Sequence, residues 1–171
     1  GPMVLKAVTA ALVSTGHDVI DIGLASTPTN EMAVQQSDAI GGVIITASHN
    51  PQQWNALKLL TSEGLFLTAS EVAQMQEMYN TGGHVAWDKI GSQSTRQGSD
   101  EAHIEALLDL PWLDKEAIAS CNLTAAVDAV EGAGGRIVPM LLESLGVKCL
   151  PLYCDMTGNF PHTPEPTPAN L

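Results

Sequence analysis

Gly42-Val43-Ile44-Ile45-Thr46-Ala47-Ser48-His49-Asn50-Pro51 is the stretch on which this 171-residue chain turns. An apolar run gives way at once to a cluster of small polar residues. Val43, Ile44 and Ile45 show no alternation, which predicts a strand buried on both faces, as in the middle of a parallel sheet. Ser48, His49 and Asn50 fall where that strand ends. In open α/β sheets, ligands bind outside the carboxyl ends of the strands. A hydroxyl, an imidazole and an amide presented there read as a site.

Working outward, Val4, Leu5, Val8, Ala11 and Leu12 recur at helical spacing and Gly16 follows as a stop, predicting a helix from Pro2 to Ser14. It has no capping lead-in, so the chain is expected to begin inside a domain. Asp18 to Leu24 reads as a strand with Ile20, Ile22 and Leu24 on one face. Ser26-Thr27-Pro28-Thr29 is a turn that caps a helix over roughly residues 30–36. Beyond Pro51, Asn55 to Leu60 and Leu65-Phe66-Leu67 flank a Ser62-Glu63-Gly64 turn. The spacing is too short for a crossover helix, which predicts an antiparallel hairpin at the sheet edge. Thr68 to Tyr79 follows as a helix with Ser70 as candidate cap. Its stripe of Val72, Met75 and Met78 is read as core.

Gly82-Gly83, Gly91-Ser92 and Ser94 break the pattern between Asn80 and Ser99, which places a domain boundary near residue 97. The expected domains are thus 1–97 and 98–171. In the second, Asp100 to Leu110 is a helix with Ile104, Leu107 and Leu108 inward, and Asp114 to Ala119 a short one. A strand from Leu123 to Val130, a turn over Glu131 to Gly135, a helix from Arg136 to Leu145 and a strand from Val147 to Tyr153 make one βαβ unit. Asp155 to Leu171 carries four prolines and no periodicity, as an irregular tail or connector would. The predicted fold class is α/β: two consecutive α/β units with mixed, mostly parallel sheets flanked by helices.

Composition narrows the partners. Hydrophobic residues are 44% of the chain and aromatics only 4%, so the core rests on Val, Ile, Leu, Met and Ala. A net charge of −12 with seven Lys and Arg argues against nucleic acid or an anionic membrane surface. It also leaves few cations for an anionic substrate. Neither a signal peptide nor a run of ~18 apolar residues is visible, so a cytoplasmic setting is expected. Cys121, Cys149 and Cys154 lack the spacing of a disulfide framework or zinc site, and are read as reduced structural thiols.

Ser48 is the leading candidate, because a hydroxyl at a strand end becomes a nucleophile once a base or cation assists it. His49 is either that base or a donor to a phosphoryl group. On an extended chain neighbouring side chains diverge, so the residues alone do not pair the two. Lys58, seven residues past Pro51, offers a point charge for a phosphoryl group if the chain folds back. Gly132 to Gly135 lacks both GxGxxG spacing and a P-loop lysine, so it reads as a strand-to-helix turn. Asp18, Asp21 and Asp128 are scattered and form no magnesium pair. His17, His84, His103 and His162 show no ligand spacing and are expected at the surface.

Thr46-Ala47-Ser48-His49-Asn50-Pro51 with Asn55-Ala56-Leu57-Lys58 closely resembles the active-site signature of the α-D-phosphohexomutases. Gly1-Pro2-Met3 is similar to the family's stretch after an Arg-x-Ser lead, and Gly23 to Pro28 to its Gly-x-x-x-Thr-Pro segment. Asn159-Phe160-Pro161-His162, Pro164-Glu165-Pro166 and Asn170-Leu171 resemble its connector after the second domain. The likeness covers essentially the whole chain, and Asp21 to Pro28, Trp54 to Leu60 and Leu152 to Phe160 are most similar to phosphoglucosamine mutases. The resemblance implies that Ser48 carries a phosphoryl group, passes it to a hexose phosphate and recovers the other phosphoryl of the resulting bisphosphate. The resemblance implies glucosamine 6-phosphate as the preferred substrate, with phosphomannomutase or phosphoglucomutase activity the nearest rival. It further implies that His49 and Lys58 position or protonate around that group, that Asn50 binds substrate, and that Mg²⁺ shares the phosphoryl oxygens on Ser48.

Departures are equally specific. The family's Asp-Gly-Asp-x-Asp-Arg magnesium loop, its Gly-Glu-x-Ser sugar-reading loop, its Arg- and Ser-rich phosphate loop and its amino-terminal arginine segment do not occur in these residues, and Ala56 stands where Gly is usual. The chain is therefore expected to be a fragment holding most of two domains, idle on its own, whose partners are the missing domains of the same enzyme. An idle interaction domain and a serine hydrolase are the readings from other classes. The hydrolase lacks a GxSxG elbow.

Overall fold

A computed structural model describes residues 1–50, 53–79, 81–165 and 167–170. Pro51 of the signature, Asn80 at the start of the composition break, and Pro166 and Leu171 of the connector lie outside the described residues. The chain divides into two compact units, Gly1–Gly23 with Asn30–Gln97, and Leu24–Thr29 with Gly98–Leu171.

The first unit opens with α1 (Pro2–Ser14), whose proline sits in the first turn, where its missing N–H leaves no helical bond unmade. Strand β1 (Val19–Asp21) is shorter than expected. Asp21 Oδ1 accepts the Gly23 N–H at 2.8 Å and Gly23 takes φ +75, so the chain turns there instead of running to Leu24. Helix α2 (Thr27–Gln35) starts three residues earlier than the sequence suggests. Ser26 Oγ accepts the Thr29 N–H at 3.2 Å, as an N-cap does, and Pro28 fits the first turn.

Strand β2 (Gly41–Thr46) pairs antiparallel with β3 (Ala56–Thr61), from Gly41 opposite Thr61 to Thr46 opposite Ala56. This corrects the expectation of a doubly buried strand inside a parallel sheet. Directly opposed residues share a face, and the core cluster on this sheet joins Ile44 and Leu60 to Val34 of α2. A Cβ at Gly42 would lie 2.8 Å from Val34 Cγ2, so glycine there lets helix and strand meet. Val43 and Ile45, on the opposite face, are only half-buried. With β2 on one side of β3, the expected return strand shrinks to a single bridge between Leu60 and Phe66.

Helix α3 (Ala69–Met78) is capped by Thr68 rather than Ser70: Thr68 Oγ1 accepts the Glu71 N–H while the Glu71 carboxylate accepts the Thr68 N–H, a reciprocal capping box. The methionine stripe is not core. Met75 and Met78 are 44% and 67% exposed. The break after Tyr79 holds a strand that periodicity does not reveal, β4 (Gln93–Thr95), which pairs parallel with β1. Asp18 fastens the start of that ladder by accepting both the N–H and the hydroxyl of Ser92, at 2.8 and 2.7 Å. The Ser92 hydroxyl, then its N–H, hold this carboxyl below its ordinary range.

The second unit begins with α4 (Ser99–Leu108), and Ile104 faces inward as expected. Its Asp100, 1% exposed, pairs with Arg136 at 2.6 Å, and Arg136 Nη2 donates to the Leu24 carbonyl at 3.5 Å. Helix α5 (Lys115–Ser120) is capped by Asp114. Strand β5 (Thr124–Asp128), helix α6 (Gly134–Ser144) and strand β6 (Lys148–Leu152) form the βαβ unit, with the strands parallel and Asp128 opposite Leu152. Gly132 lies in the turn from β5 into α6, while Gly135, expected in that turn, is already in the first turn of the helix and donates its N–H to the Gly132 carbonyl at 3.1 Å. The two parallel pairs and one antiparallel pair make the fold the mixed α/β class expected.

Candidate active site

Past Thr46 the β2 ladder stops and the chain turns on itself. Thr46 Oγ1 accepts the Ser48 N–H at 2.9 Å, and the Asn50 N–H donates to the Ala47 carbonyl at 3.0 Å. Ser48 takes φ 55, in the left-handed region. That conformation is unfavourable for a residue with a Cβ, and Ser48 shares it with Val130 and Glu131 at the end of β5. The turn leaves Ser48, His49 and Asn50 exposed.

It also brings the imidazole to the hydroxyl. His49 Nδ1 lies 3.5 Å from Ser48 Oγ, at the outer limit of a hydrogen bond. Whether that nitrogen accepts or donates depends on the ring tautomer. The divergence expected of neighbours on an extended chain does not apply, because Ser48 is not extended.

Lys58 is half-buried opposite Ile44. It stands two residues down β3 from the last rung, about 7 Å along the strand. It shares a face with Thr46, its diagonal neighbour across the ladder. Its ammonium sits 5.6 Å from the centroid of the Phe66 ring, a contact that holds a cation at a modest gain. The fold thus returns Lys58 toward the loop without placing it on Ser48.

Other sequence candidates serve the structure. Asp18 and Asp21 hold the turns around β1. Asp128 accepts the Val130 N–H at 2.9 Å and pairs with His162 at 2.8 Å. The Val130 N–H, then His162, keep its carboxyl below the usual range. Asp128, first, and the Thr163 carbonyl push His162 up. Nδ1 and Nε2 of His162 thus each face an acceptor, an arrangement that suits the doubly protonated ring. His17, His84 and His162 are exposed as expected, but His103 is a correction. It is 9% exposed, its Nδ1 3.1 Å from Thr29 Oγ1, a partner 74 residues away that no local spacing reveals. Among the described residues, no group of three or more His, Cys, Asp or Glu is placed to hold a metal ion. Thr46 is the residue that sequence reasoning passed over. Its signal was the spacing, a threonine two residues before the serine it turns.

Sequence profiles of the phosphoglucomutase/phosphomannomutase family match twice, α/β/α domain I over residues 1–85 and α/β/α domain II over 101–171. A phosphoglucomutase/phosphomannomutase of Thermococcus kodakarensis is 37% identical over 174 residues, covering 100% of this chain and 38% of that protein. A protein of Pyrococcus horikoshii named "Probable phosphoglucosamine mutase" is 35% identical over 99% of this chain and 36% of its own length. Among solved structures, a Thermus thermophilus protein bearing the name phosphomannomutase superposes with a TM-score of 0.74 at 28% identity, covering 97% of this chain and 38% of that one. A family protein of Burkholderia thailandensis shares the fold at a TM-score of 0.72 and 22% identity, over 94% of this chain and 35% of that one. This chain therefore spans little more than a third of the length of the relatives it matches.

Proposed function

The chain belongs to the phosphoglucomutase/phosphomannomutase family, and from that premise we propose that Ser48 is the phosphoryl carrier of a hexose phosphate mutase. The observation that carries this is the turn after β2, where Ser48 is exposed, held at φ 55 and 3.5 Å from an imidazole. The phosphoryl group on Ser48 Oγ passes to a free hydroxyl of a hexose monophosphate. The serine O–P bond breaks, a sugar O–P bond forms, the sugar hydroxyl gives up its proton and the serine oxygen takes one. The bisphosphate then turns over and returns its other phosphoryl to Ser48, so that the 6-phosphate leaves as the 1-phosphate or the reverse. His49 Nδ1 holds the proton exchanged at Oγ in this reading, which its 3.5 Å separation from the hydroxyl supports. Lys58 supplies a cation for the phosphoryl oxygens after leaving Phe66, and Asn50 contacts the sugar phosphate.

Magnesium belongs to this reading through the phosphoryl oxygens of Ser48. The described side chains make no site for it. Its remaining ligands are assigned to the other domains of the same enzyme. Those domains are also assigned the cationic cradle that a chain of net charge −12 lacks. The isolated chain is therefore idle, and a cytoplasmic setting goes with the same reading.

Glucosamine 6-phosphate is the preferred substrate, a choice supported by relatives named for phosphoglucosamine mutase. The phosphomannomutase and phosphoglucomutase names among the matches keep mannose and glucose phosphates as the second reading. Phosphorus NMR of this chain joined to the remaining mutase domains, with the three 6-phosphates supplied separately, tests both. The expected result is a sugar 1-phosphate, fastest from glucosamine, and none from the 171 residues alone. Release of inorganic phosphate with rapid fluorophosphonate labelling of Ser48 would replace the mutase with a hydrolase.

A further inference from the structure

Thr46 has no assigned role beyond its place in the signature, yet it makes the contact that shapes the loop. Its Oγ1 accepts the Ser48 N–H at 2.9 Å. Ser48 sits at φ 55. An L-residue leaves that conformation for the extended or right-handed regions unless something holds it. A hydroxyl two residues back, bonded to the amide of the residue in question, is such a restraint. Among the described residues of the loop nothing duplicates it: the Asn50 N–H to Ala47 carbonyl bond closes the turn but leaves the Ser48 amide untouched.

Thr46 is also well placed to act without itself moving. It is the last rung of the β2–β3 ladder, opposite Ala56, and half-buried. Its backbone is fixed by the strand, its Cβ by the sheet face it shares with Ile44, and Ile44 is 7% exposed in the core. The side chain thus transmits the position of a packed strand to an exposed serine through one hydrogen bond.

We infer that Thr46 is a positioning residue for phosphoryl transfer, fixing the left-handed backbone of Ser48 so that Oγ stands beside His49 before any phosphate arrives. This rests on Ser48 being the phosphoryl carrier. Without the bond, Ser48 is mostly found with Oγ turned elsewhere, and the productive fraction falls while substrate contacts made by other residues stay. The effect belongs in kcat rather than in KM.

The test compares Thr46→Val with Thr46→Ser. Valine keeps the β-branched shape and suits a strand end, but cannot accept the bond. Serine keeps the acceptor and loses only a methyl. In the 171-residue chain, amide hydrogen exchange at Ser48 should quicken about tenfold in T46V and stay within about twofold of the parent in T46S. Unchanged protection of Ile44 and Lys58, which face each other across the β2–β3 ladder, would show that the strand is intact. In the chain joined to the remaining domains, loading of Ser48 from a hexose bisphosphate should slow about tenfold in T46V at unchanged KM, with T46S restoring it. Equal loading in T46V and the parent overturns the inference, and so does equal slowing in both variants, which would trace the effect to packing of the methyl. If the parent itself takes up no phosphate, the phosphoserine reading fails instead. The exchange comparison then decides alone whether Thr46 holds Ser48.

Discussion

Two strand ends in this molecule carry similar side chains and put them to opposite uses. After β2, Ser48 and His49 stand exposed in a turn held through the backbone, with the hydroxyl 3.5 Å from the imidazole. After β5, Asp128 and His162 also meet at a left-handed turn, with Val130 at φ 45 and Glu131 at φ 59. There, however, both Asp128 oxygens are engaged, one by the Val130 N–H and one by His162 Nε2. His162 Nδ1 in turn meets the Thr163 carbonyl, and the His162 ring packs edge-on to Tyr153 at 5.8 Å. The second cluster commits its polar atoms to fixing the connector to the end of the sheet. The first uses a neighbouring threonine to hold the backbone and leaves the serine exposed to solvent. Being at the carboxyl end of a strand does not by itself distinguish them; what the hydrogen bonds have already used does.

Removing the key oxygen at each end should therefore have unlike consequences. Ser48→Ala in the chain joined to the remaining domains is expected to lower mutase turnover by on the order of 10³ or more. It should shift the stability of the isolated chain by less than about 0.5 kcal/mol, as surface changes do. Enzyme assay and chemical denaturation read the two numbers, and a large stability loss with retained turnover would reverse the comparison.

Next in size is the support beneath the loop. Leu60 is 4% exposed and packs with Ile44 and Val34. Leu60→Ala should cost about 2–4 kcal/mol in urea unfolding of the first unit. A loss below about 1 kcal/mol would mean that β2 is aimed by something other than this core.

The β5 end should answer to pH. His162 is raised in the folded state, so its contribution is fully present below its unfolded pKa and is lost as pH rises through the folded value. Asp128 is lowered, so its contribution is present above its unfolded pKa and is lost as pH falls through the folded value. The connector should be held best between the two, from mildly acidic to near-neutral pH. Hydrogen exchange of the Thr157 and Gly158 amides, both bonded to Glu131, follows it. His162→Gln should abolish the alkaline loss, and an unchanged profile would show that the pair does not govern the connector.

Smallest is Asp114, which caps α5 by accepting the Ala117 N–H at 2.9 Å. Asp114→Ala should cost about 1 kcal/mol and leave loading of Ser48 as it was. A change in loading would couple a helix cap in one unit to chemistry at the other.

The sequence displays most clearly what depends on near neighbours. Helix α1 matches its spacing from Pro2 to Ser14, and the βαβ unit is legible because two apolar runs are separated by the Gly132–Gly135 cluster and Gly146. Strand β4 is not, because Gln93, Ser94 and Thr95 are all exposed and their partner β1 lies more than seventy residues earlier. Burial of His103 is hidden for the same reason. Val43 and Ile45 misled because an apolar run reports what a face can bury, and in this chain that face is half-open. Ser48, His49 and Lys58 stand out through a recognisable motif, whereas Thr46 does so only once the backbone of Ser48 is known.

Most direct for the phosphoryl carrier is where phosphate lands. The chain joined to the remaining mutase domains is incubated with a hexose bisphosphate, and its mass and peptide map are taken. The expected result is one added phosphoryl group, on Ser48, absent in Ser48→Ala. Phosphate on any other residue, or none on a protein that still interconverts the sugar phosphates, would contradict it.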